Sequence, residues 1–176
     1  SDVYKRQGQD SLRWGKPFQA LLGAFQAQMD FKVPAIGGKD SMSGSFEELD
    51  VPSTLISFAT AITEADKVIS SDFKEANSKL YLFGLPMKDS LQIDTEALAD
   101  AWNALNQAMR EGKVKSAWAV SRGGILEGLY KMAFGSSIGF SISPEFTLKE
   151  LTKKNYGKII IESSEALEEG YFVALG

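Results

Sequence analysis

The polar stretch between residues 64 and 78 most constrains how this chain can fold. It mixes both charge signs, shows no strong apolar period, and separates two regions that each carry helix and strand patterns. Domain boundaries fall in polar linkers of this kind, because few contacts cross them. A chain of 176 residues suits one domain or two small ones. We therefore predict two units, residues 1–66 and residues 67–176.

The first unit shows one clear helix pattern. Apolar residues recur at helical spacing over Pro17–Met29 and form a single stripe, which predicts an amphipathic helix with a buried face: Phe18, Leu21, Leu22, Phe25 and Met29. Pro17 suits the first helical position. Short apolar runs predict a buried strand at Val33–Ile36 and a longer strand at Val51–Thr63.

The second unit alternates between the apolar spacing of strands and that of helices. Its patterns predict strands over residues 80–84, 116–120, 137–142, 158–162 and 171–175. They predict helices over residues 94–111 and 125–134, the second ended by Gly135, and a short helix within residues 146–154. Asp94 or Thr95 can cap the first of these helices, since both side chains accept hydrogen bonds from free N–H groups.

Composition excludes several classes of function. The chain has neither cysteine nor histidine, so disulfides, thiolate metal sites and serine–histidine catalysis are impossible within it. The net charge of −4 predicts no general attraction to nucleic acid or anionic membranes. No apolar run has membrane-spanning length, and no signal peptide is visible. These features fit a cytoplasmic protein.

The segment with the strongest ligand-binding signal follows the predicted strand at Val33–Ile36. Two glycines there lead into Lys39, Asp40 and Ser41. Glycine lets backbone N–H groups approach a phosphate closely, lysine neutralises phosphate charge, and a carboxylate suits Mg²⁺. The spacing differs from that of the P-loop. The segment is therefore interpreted either as a phosphate and metal loop or as a solvated turn after a strand.

A second candidate site is the strand-to-helix junction Ser121-Arg122-Gly123-Gly124. A helix N-terminus presents free N–H groups and the positive end of the helix dipole, which together favour an anion. The guanidinium of Arg122 would add a fork for phosphate or carboxylate. The alternative is that the two glycines only permit a tight turn.

The segment Pro34–Ser43 resembles the P-x-G-K-D-S-M-S signature of the phosphoribosylformylglycinamidine synthase (FGAM synthase) family, in its second synthetase-like half. The flanking elements agree in order: residues 51–59 resemble the strand after the motif, and residues 131–135 resemble a later M-A-F-x-G helix end. The resemblance runs from about Trp14 to the C-terminus.

This resemblance implies an α+β fold from the aminoimidazole ribonucleotide synthase superfamily. It implies a partial N-terminal-type α/β subdomain over residues 1–66, carrying a nucleotide site. A C-terminal-type subdomain with a mixed sheet flanked by helices would follow over residues 67–176. The family uses ATP and Mg²⁺ to convert formylglycinamide ribonucleotide to the amidine in purine biosynthesis. A separate glutaminase domain supplies the ammonia from glutamine.

The resemblance also implies roles for individual residues. Asp40 matches a Mg²⁺ ligand of an auxiliary ATP/ADP site, and Gly38, Lys39 and Ser41 match its phosphate-side surroundings. The family's other metal ligands fall before residue 1, so the chain is expected to be a fragment with half a site. It is expected to be inactive alone. At the junction the family often has an aspartate where this chain has Arg122, which argues against a catalytic role.

Three alternatives remain open from the sequence. The chain is a nucleotide-binding scaffold, or it is a purely structural module that contacts the rest of a synthase and self-associates in isolation. Otherwise it belongs to another superfamily member, such as aminoimidazole ribonucleotide synthase or a selenophosphate or thiamine-phosphate kinase. The residues after Asp40 and the predicted strand at 51–59 favour FGAM synthase.

Overall fold

The computed structural model describes residues 10–38, 45–50, 52, 54–85, 93–168 and 170–176. The chain divides into two compact units, Ser1–Ala61 and Ile62–Gly176. The subdomain types predicted for residues 1–66 and 67–176 are not addressed by this division and stay predictions. In the described part of the chain, no helix is both long enough and apolar enough to cross a lipid bilayer.

The first unit is built on one helix, α1, which spans Ser11–Phe31. The carboxylate of Asp10 caps it by accepting a hydrogen bond from the N–H of Leu12 at 2.9 Å. The helix is longer than predicted because it begins six residues before Pro17, which lies inside it rather than at its first position. Lys32 ends the helix in the left-handed conformation, with φ at 54°.

The predicted buried face of α1 is wrong. Every residue of Ser11–Phe31 is described, and none is buried. Five large side chains of the predicted stripe are between 49% and 61% exposed: Phe18, Leu21, Leu22, Phe25 and Met29. Helical spacing aligns apolar side chains on one side of a helix, but only a packing partner removes them from water.

A small hairpin follows in the first unit. Strands β1 (Ser45–Phe46) and β2 (Leu49–Asp50) pair antiparallel. The long strand predicted over Val51–Thr63 is wrong, since residues 52 and 54–63 have no regular structure in the described chain. Phe58 and Ile62 are 91% and 103% exposed. A β-forming sequence becomes a strand only where a neighbouring strand accepts its backbone hydrogen bonds.

The second unit contains most of the regular structure. A 3₁₀ turn at Ala65–Lys67 lies near its start. Its elements are, in chain order, β3 Lys79–Phe83, α2 Thr95–Arg110, β4 Val114–Ala119, α3 Gly124–Ser136, α4 Leu148–Leu151, β5 Ile159–Ser163 and β6 Phe172–Ala174. The predicted α+β class is confirmed. The predicted strand over 137–142 is wrong, although Ile138, Phe140 and Ile142 still pack against the core.

The four strands of this unit form one sheet in the order β4-β5-β3-β6. All three strand pairs are antiparallel, where a mixed sheet was predicted. Side chains alternate between the two faces of a strand, so each strand supplies both sides of the core. Leu80 and Leu82 join the cluster that holds α3, whereas Tyr81 and Phe83 join the cluster that holds α2.

Helix α2 realises the predicted amphipathic pattern. Asp94 caps it by accepting a hydrogen bond from the N–H of Ala97 at 3.1 Å. Ala101, Leu105 and Ala108 are buried against the sheet. Trp102 is 44% exposed and meets the ring of Phe83 edge-on, with 5.3 Å between the ring centroids.

One buried charge ties a loop to the sheet. Glu162 on β5 is fully buried, and its carboxylate accepts hydrogen bonds from the backbone N–H groups of Lys74 and Glu75 at 2.9 to 3.0 Å. The hydroxyl of Ser116 on β4 also donates a hydrogen bond to the Glu162 carboxylate, at 2.6 Å. A buried carboxylate is tolerated only with such donors, so Glu162 fixes the position of the turn around residue 74.

Candidate functional site

Residues 33–41, the glycine segment, are described up to Gly38, and this part lies open to solvent. Val33–Ile36 has no regular structure, and Val33 and Ile36 are 63% and 104% exposed, so the predicted buried strand is wrong. The segment is held to the end of α1 instead. The side-chain oxygen of Gln28 accepts a hydrogen bond from the N–H of Ala35 at 2.7 Å, and the Gln28 carbonyl accepts one from Val33.

The two glycines that follow are unobstructed. Gly38 is exposed, and a Cβ atom added at Gly37 or Gly38 would meet nothing within 4 Å. Lys39, Asp40 and Ser41, the other residues predicted to hold nucleotide and Mg²⁺, lie outside the described residues. Their roles stay predictions. The acidic side chains of Glu47 and Glu48 are exposed in the turn of the hairpin.

The described residues do not assemble a metal centre by themselves. Among them, no group of three or more Asp, Glu, His or Cys side chains is arranged to hold a metal ion. The predicted Mg²⁺ ligand, Asp40, is not one of these residues. The fit of Mg²⁺ to this chain therefore rests on the residue types of the glycine segment.

The second candidate site, the junction between β4 and α3, is well defined. Gly123 is the N-cap of α3, and Gly124 adopts a φ of +74°, a conformation that favours glycine. A Cβ atom at Gly124 would lie 2.5 Å from the carbonyl oxygen of Leu151. Gly124 is thus needed for the turn and for the close approach of the backbone at Leu151–Lys153, as the tight-turn alternative predicts.

The free N–H at this helix start is already used. The carboxylate of Glu127 accepts hydrogen bonds from the N–H of Gly123 at 2.7 Å and from the hydroxyl of Ser121 at 2.9 Å. Its other oxygen pairs with the ammonium of Lys131 at 2.6 Å. The hydrogen bond from Lys131, followed by those from Gly123 and Ser121, lowers the pKa of Glu127 to about 2. The helix start holds an internal anion.

Arg122 contributes nothing to this arrangement. Arg122 is exposed, and its two neighbours, Ser121 and Gly123, donate their hydrogen bonds to Glu127. The interpretation of the junction as a site for an external anion is therefore not supported by its geometry. The signal in the sequence was Glu127 itself, which stands in the first turn of the predicted helix and four residues before a lysine.

Sequence relatives bear on the predicted family. The chain is 24% identical to the phosphoribosylformylglycinamidine synthase subunit PurL of Picrophilus torridus, in an alignment that covers 90% of the chain and 24% of that subunit. The PurL subunit of Thermoplasma volcanium is 27% identical over 76% of the chain and 21% of its own length. The PurL subunit of Campylobacter jejuni is 24% identical over 92% of the chain and 26% of its length.

The resemblance to FGAM synthase is confirmed. The chain spans about a quarter of the length of the curated PurL subunits that it matches. No protein-family model matches the chain.

Solved structures with a partial likeness to this chain are also PurL proteins. The structure of PurLQS from Thermotoga maritima aligns with 58% of this chain and 20% of its own, at 19% identity and a TM-score of 0.48. T. maritima PurL complexed with ATP aligns with 57% of this chain and 19% of its own, at 16% identity and a TM-score of 0.44.

Proposed function

We propose that this chain is part of an FGAM synthase, an ATP-dependent carbon–nitrogen ligase of de novo purine biosynthesis. Its substrates would be formylglycinamide ribonucleotide, ATP and ammonia taken from glutamine, and its compartment the cytoplasm. The observation that carries the proposal is the sequence similarity to PurL subunits over about nine tenths of the chain. The same relatives favour FGAM synthase over the other superfamily members that the sequence left open.

Within that enzyme, the glycine segment is proposed to contact nucleotide. Gly38, Lys39 and Ser41 would face the phosphates of ATP or ADP, and Asp40 would hold Mg²⁺. The open space beside Gly38 supports this role, because a phosphate can approach a backbone N–H only where no side chain blocks it. Mg²⁺, when bound, would neutralise phosphate charge through carboxylate and phosphate oxygens.

Calorimetric titration of the chain with ADP and Mg²⁺ tests this site. We expect binding that requires Mg²⁺ and that D40A and D40N each weaken about tenfold or more, since both remove a charged metal ligand. The matched control is D30N, which removes an exposed carboxylate at the end of α1. ADP binding that is equal in D40N and the unmodified chain would contradict the metal-site proposal.

The chain alone is proposed to be inactive, because the glutaminase and the first synthetase-like half of the family are separate from the residues present here. A coupled assay with formylglycinamide ribonucleotide, ATP, Mg²⁺ and ammonium should detect no ADP release above a no-substrate blank. Substrate-dependent ADP release by the purified chain would overturn this part of the proposal while leaving the family resemblance intact.

The apolar face of α1, defined by Phe18, Leu21, Leu22, Phe25 and Met29, favours a role in assembly. We propose that this face contacts the remainder of a PurL-length synthase. All five side chains are at least 49% exposed here, and exposed apolar patches of this kind mark interaction surfaces. The isolated chain should then self-associate through the same face.

Light scattering over a concentration series tests the assembly role. The apparent mass should rise with concentration, and the change F25E should restore a monomer by placing a charge in the apolar face. The control is F134E, which changes a side chain on α3 that is 91% exposed. Association that persists in F25E, or that F134E abolishes equally, would show that the face of α1 is not responsible.

A further inference from the structure

A basic pocket lies in the second unit, and its lining contains none of the residues that the sequence predicted to be functional. Its volume is about 330 Å³, within the range of small-ligand pockets. Its lining includes four cationic side chains, Lys67, Lys74, Arg110 and Lys115, and one carboxylate, that of Asp66. The local excess of positive charge stands out in a chain whose net charge is −4.

The four cations come from four different places in the chain. Lys67 ends the 3₁₀ turn, and Arg110 ends α2. Lys115 stands where the pairing of β4 with β5 shifts register between Val114 and Ser116, a bulge that redirects a side chain. A cation at the end of a helix complements the helix dipole, which accounts for Arg110 but not for the lysines.

The pocket is anchored to the buried core. Lys74 belongs to the turn whose N–H groups are bound by the buried carboxylate of Glu162, at 2.9 and 3.0 Å. The carbonyl of Ser70 accepts a hydrogen bond from Ala117 on β4 at 3.2 Å, which fixes the segment on the other side. The cations therefore project from backbone that the core holds in place.

The cations are only partly neutralised by the protein. Lys74 pairs with Asp72 at 2.6 Å, and Lys115 approaches Glu75 at 3.8 Å, both between solvent-exposed groups of little energetic weight. Within the described residues, Lys67 and Arg110 form no ion pair. These two cations thus remain available to an incoming anion, against the single carboxylate of Asp66 in the lining.

We propose that this pocket binds a small molecule through a phosphate or diphosphate group. The guanidinium of Arg110 can form two parallel hydrogen bonds to phosphate oxygens, and the ammonium of Lys67 adds a point charge. The rest of the lining is mostly apolar, including Val68, Met109 and Val114, and it contains no aromatic ring. A compact anion fits this lining better than a stacked base.

The test is calorimetric titration with inorganic pyrophosphate in a buffer without phosphate or Mg²⁺, followed by amide NMR spectra. We expect binding that shifts the amide signals of Ser70, Lys74 and Gly112. The double variant K67Q/R110Q should bind about tenfold or more weakly, because it removes two charge-assisted contacts. The variant K67R/R110K keeps both charges but moves the guanidinium, and it should lose less affinity than K67Q/R110Q.

The matched control is K149Q/K154Q, which removes two positive charges from exposed lysines elsewhere in the same unit. Its affinity for pyrophosphate should equal that of the unmodified chain. Equal losses in both double variants would show a general charge effect and overturn the pocket. Absence of pyrophosphate binding, or succinate binding as tight as that of pyrophosphate, would overturn the assignment to phosphate.

Discussion

Helices α1 and α2 carry similar apolar stripes but have opposite fates. The stripe of α2 lies on the sheet of the second unit, where Ala101, Leu105 and Ala108 are buried. Along α1, by contrast, every residue of Ser11–Phe31 is at least partly exposed. Helical periodicity therefore shows which side of a helix is apolar, whereas burial depends on a partner that another part of the chain or another molecule must supply.

The largest effect is expected where the second unit buries a charge. The change E162A leaves two backbone N–H groups and one hydroxyl without their acceptor, and should lower the free energy of unfolding by about 4 kcal/mol. Urea unfolding followed by circular dichroism measures it. E162Q keeps an acceptor oxygen, so it should lower the free energy of unfolding clearly less than E162A does. Equal stability of E162A and the unmodified chain would contradict a structural role for this carboxylate.

Paired truncations test the comparison of the two helices directly. L105A removes a side chain of α2 that is 4% exposed and should lower the unfolding free energy by about 3 kcal/mol. L22A removes the same atoms from α1, where the side chain is 49% exposed, and should change it by about 0.5 kcal/mol or less. Measured at low protein concentration, similar losses in both variants would break the comparison.

A glycine in α3 shows how closely this unit packs. A Cβ atom at Gly128 would lie 2.5 Å from Cδ1 of Ile160 and 2.7 Å from Cδ1 of Trp118. G128A should therefore push α3 from the sheet and lower the unfolding free energy by about 2 kcal/mol. In the same helix, G135A meets only Cβ of Asp72 at 3.5 Å, and should instead stabilise by about 0.5 kcal/mol. A loss in both variants would contradict the packing explanation.

The smallest effect is expected at the start of α3 and depends on pH. The pKa of Glu127 is lowered to about 2 in the folded chain from an ordinary value of 4.5. Its contribution to stability is therefore complete above pH 4.5 and is lost as the pH falls through about 2. E127Q should make the denaturant midpoint depend less on pH between 4.5 and about 2. The control E145Q removes an exposed carboxylate, and an identical pH profile in both variants would refute the assignment.

Much of the second unit was predictable because its local signals and its packing agree. The strands β3, β4, β5 and β6 and the helices α2 and α3 lie close to where apolar periodicity, capping residues and glycine ends placed them. The antiparallel order β4-β5-β3-β6 was not predictable, since strand pairing depends on contacts distant in sequence. The same signals failed in the first unit. Its predicted strand over Val51–Thr63 required a neighbouring strand, and its apolar helix face required a packing partner.

The candidate sites divide in the same way. The glycine segment was found from residue types, and its nucleotide role stays a prediction because Lys39, Asp40 and Ser41 lie outside the described residues. At the junction before α3, the glycines and the helix start were predicted, but the carboxylate of Glu127 that occupies the N–H of Gly123 was not. The basic pocket had no local sequence signal, since Lys67 and Lys115 are 48 residues apart.

The family resemblance is visible in the amino-acid sequence alone, as are the positions of the main helices and strands and the exclusion of histidine and cysteine chemistry. These follow from residue identity and local spacing. Tertiary structure alone decided which apolar faces are buried, which carboxylates receive hydrogen bonds, and where cations converge. The physical reason is that burial, hydrogen bonding and electrostatic fields depend on distances through space, which local patterns along the chain do not fix.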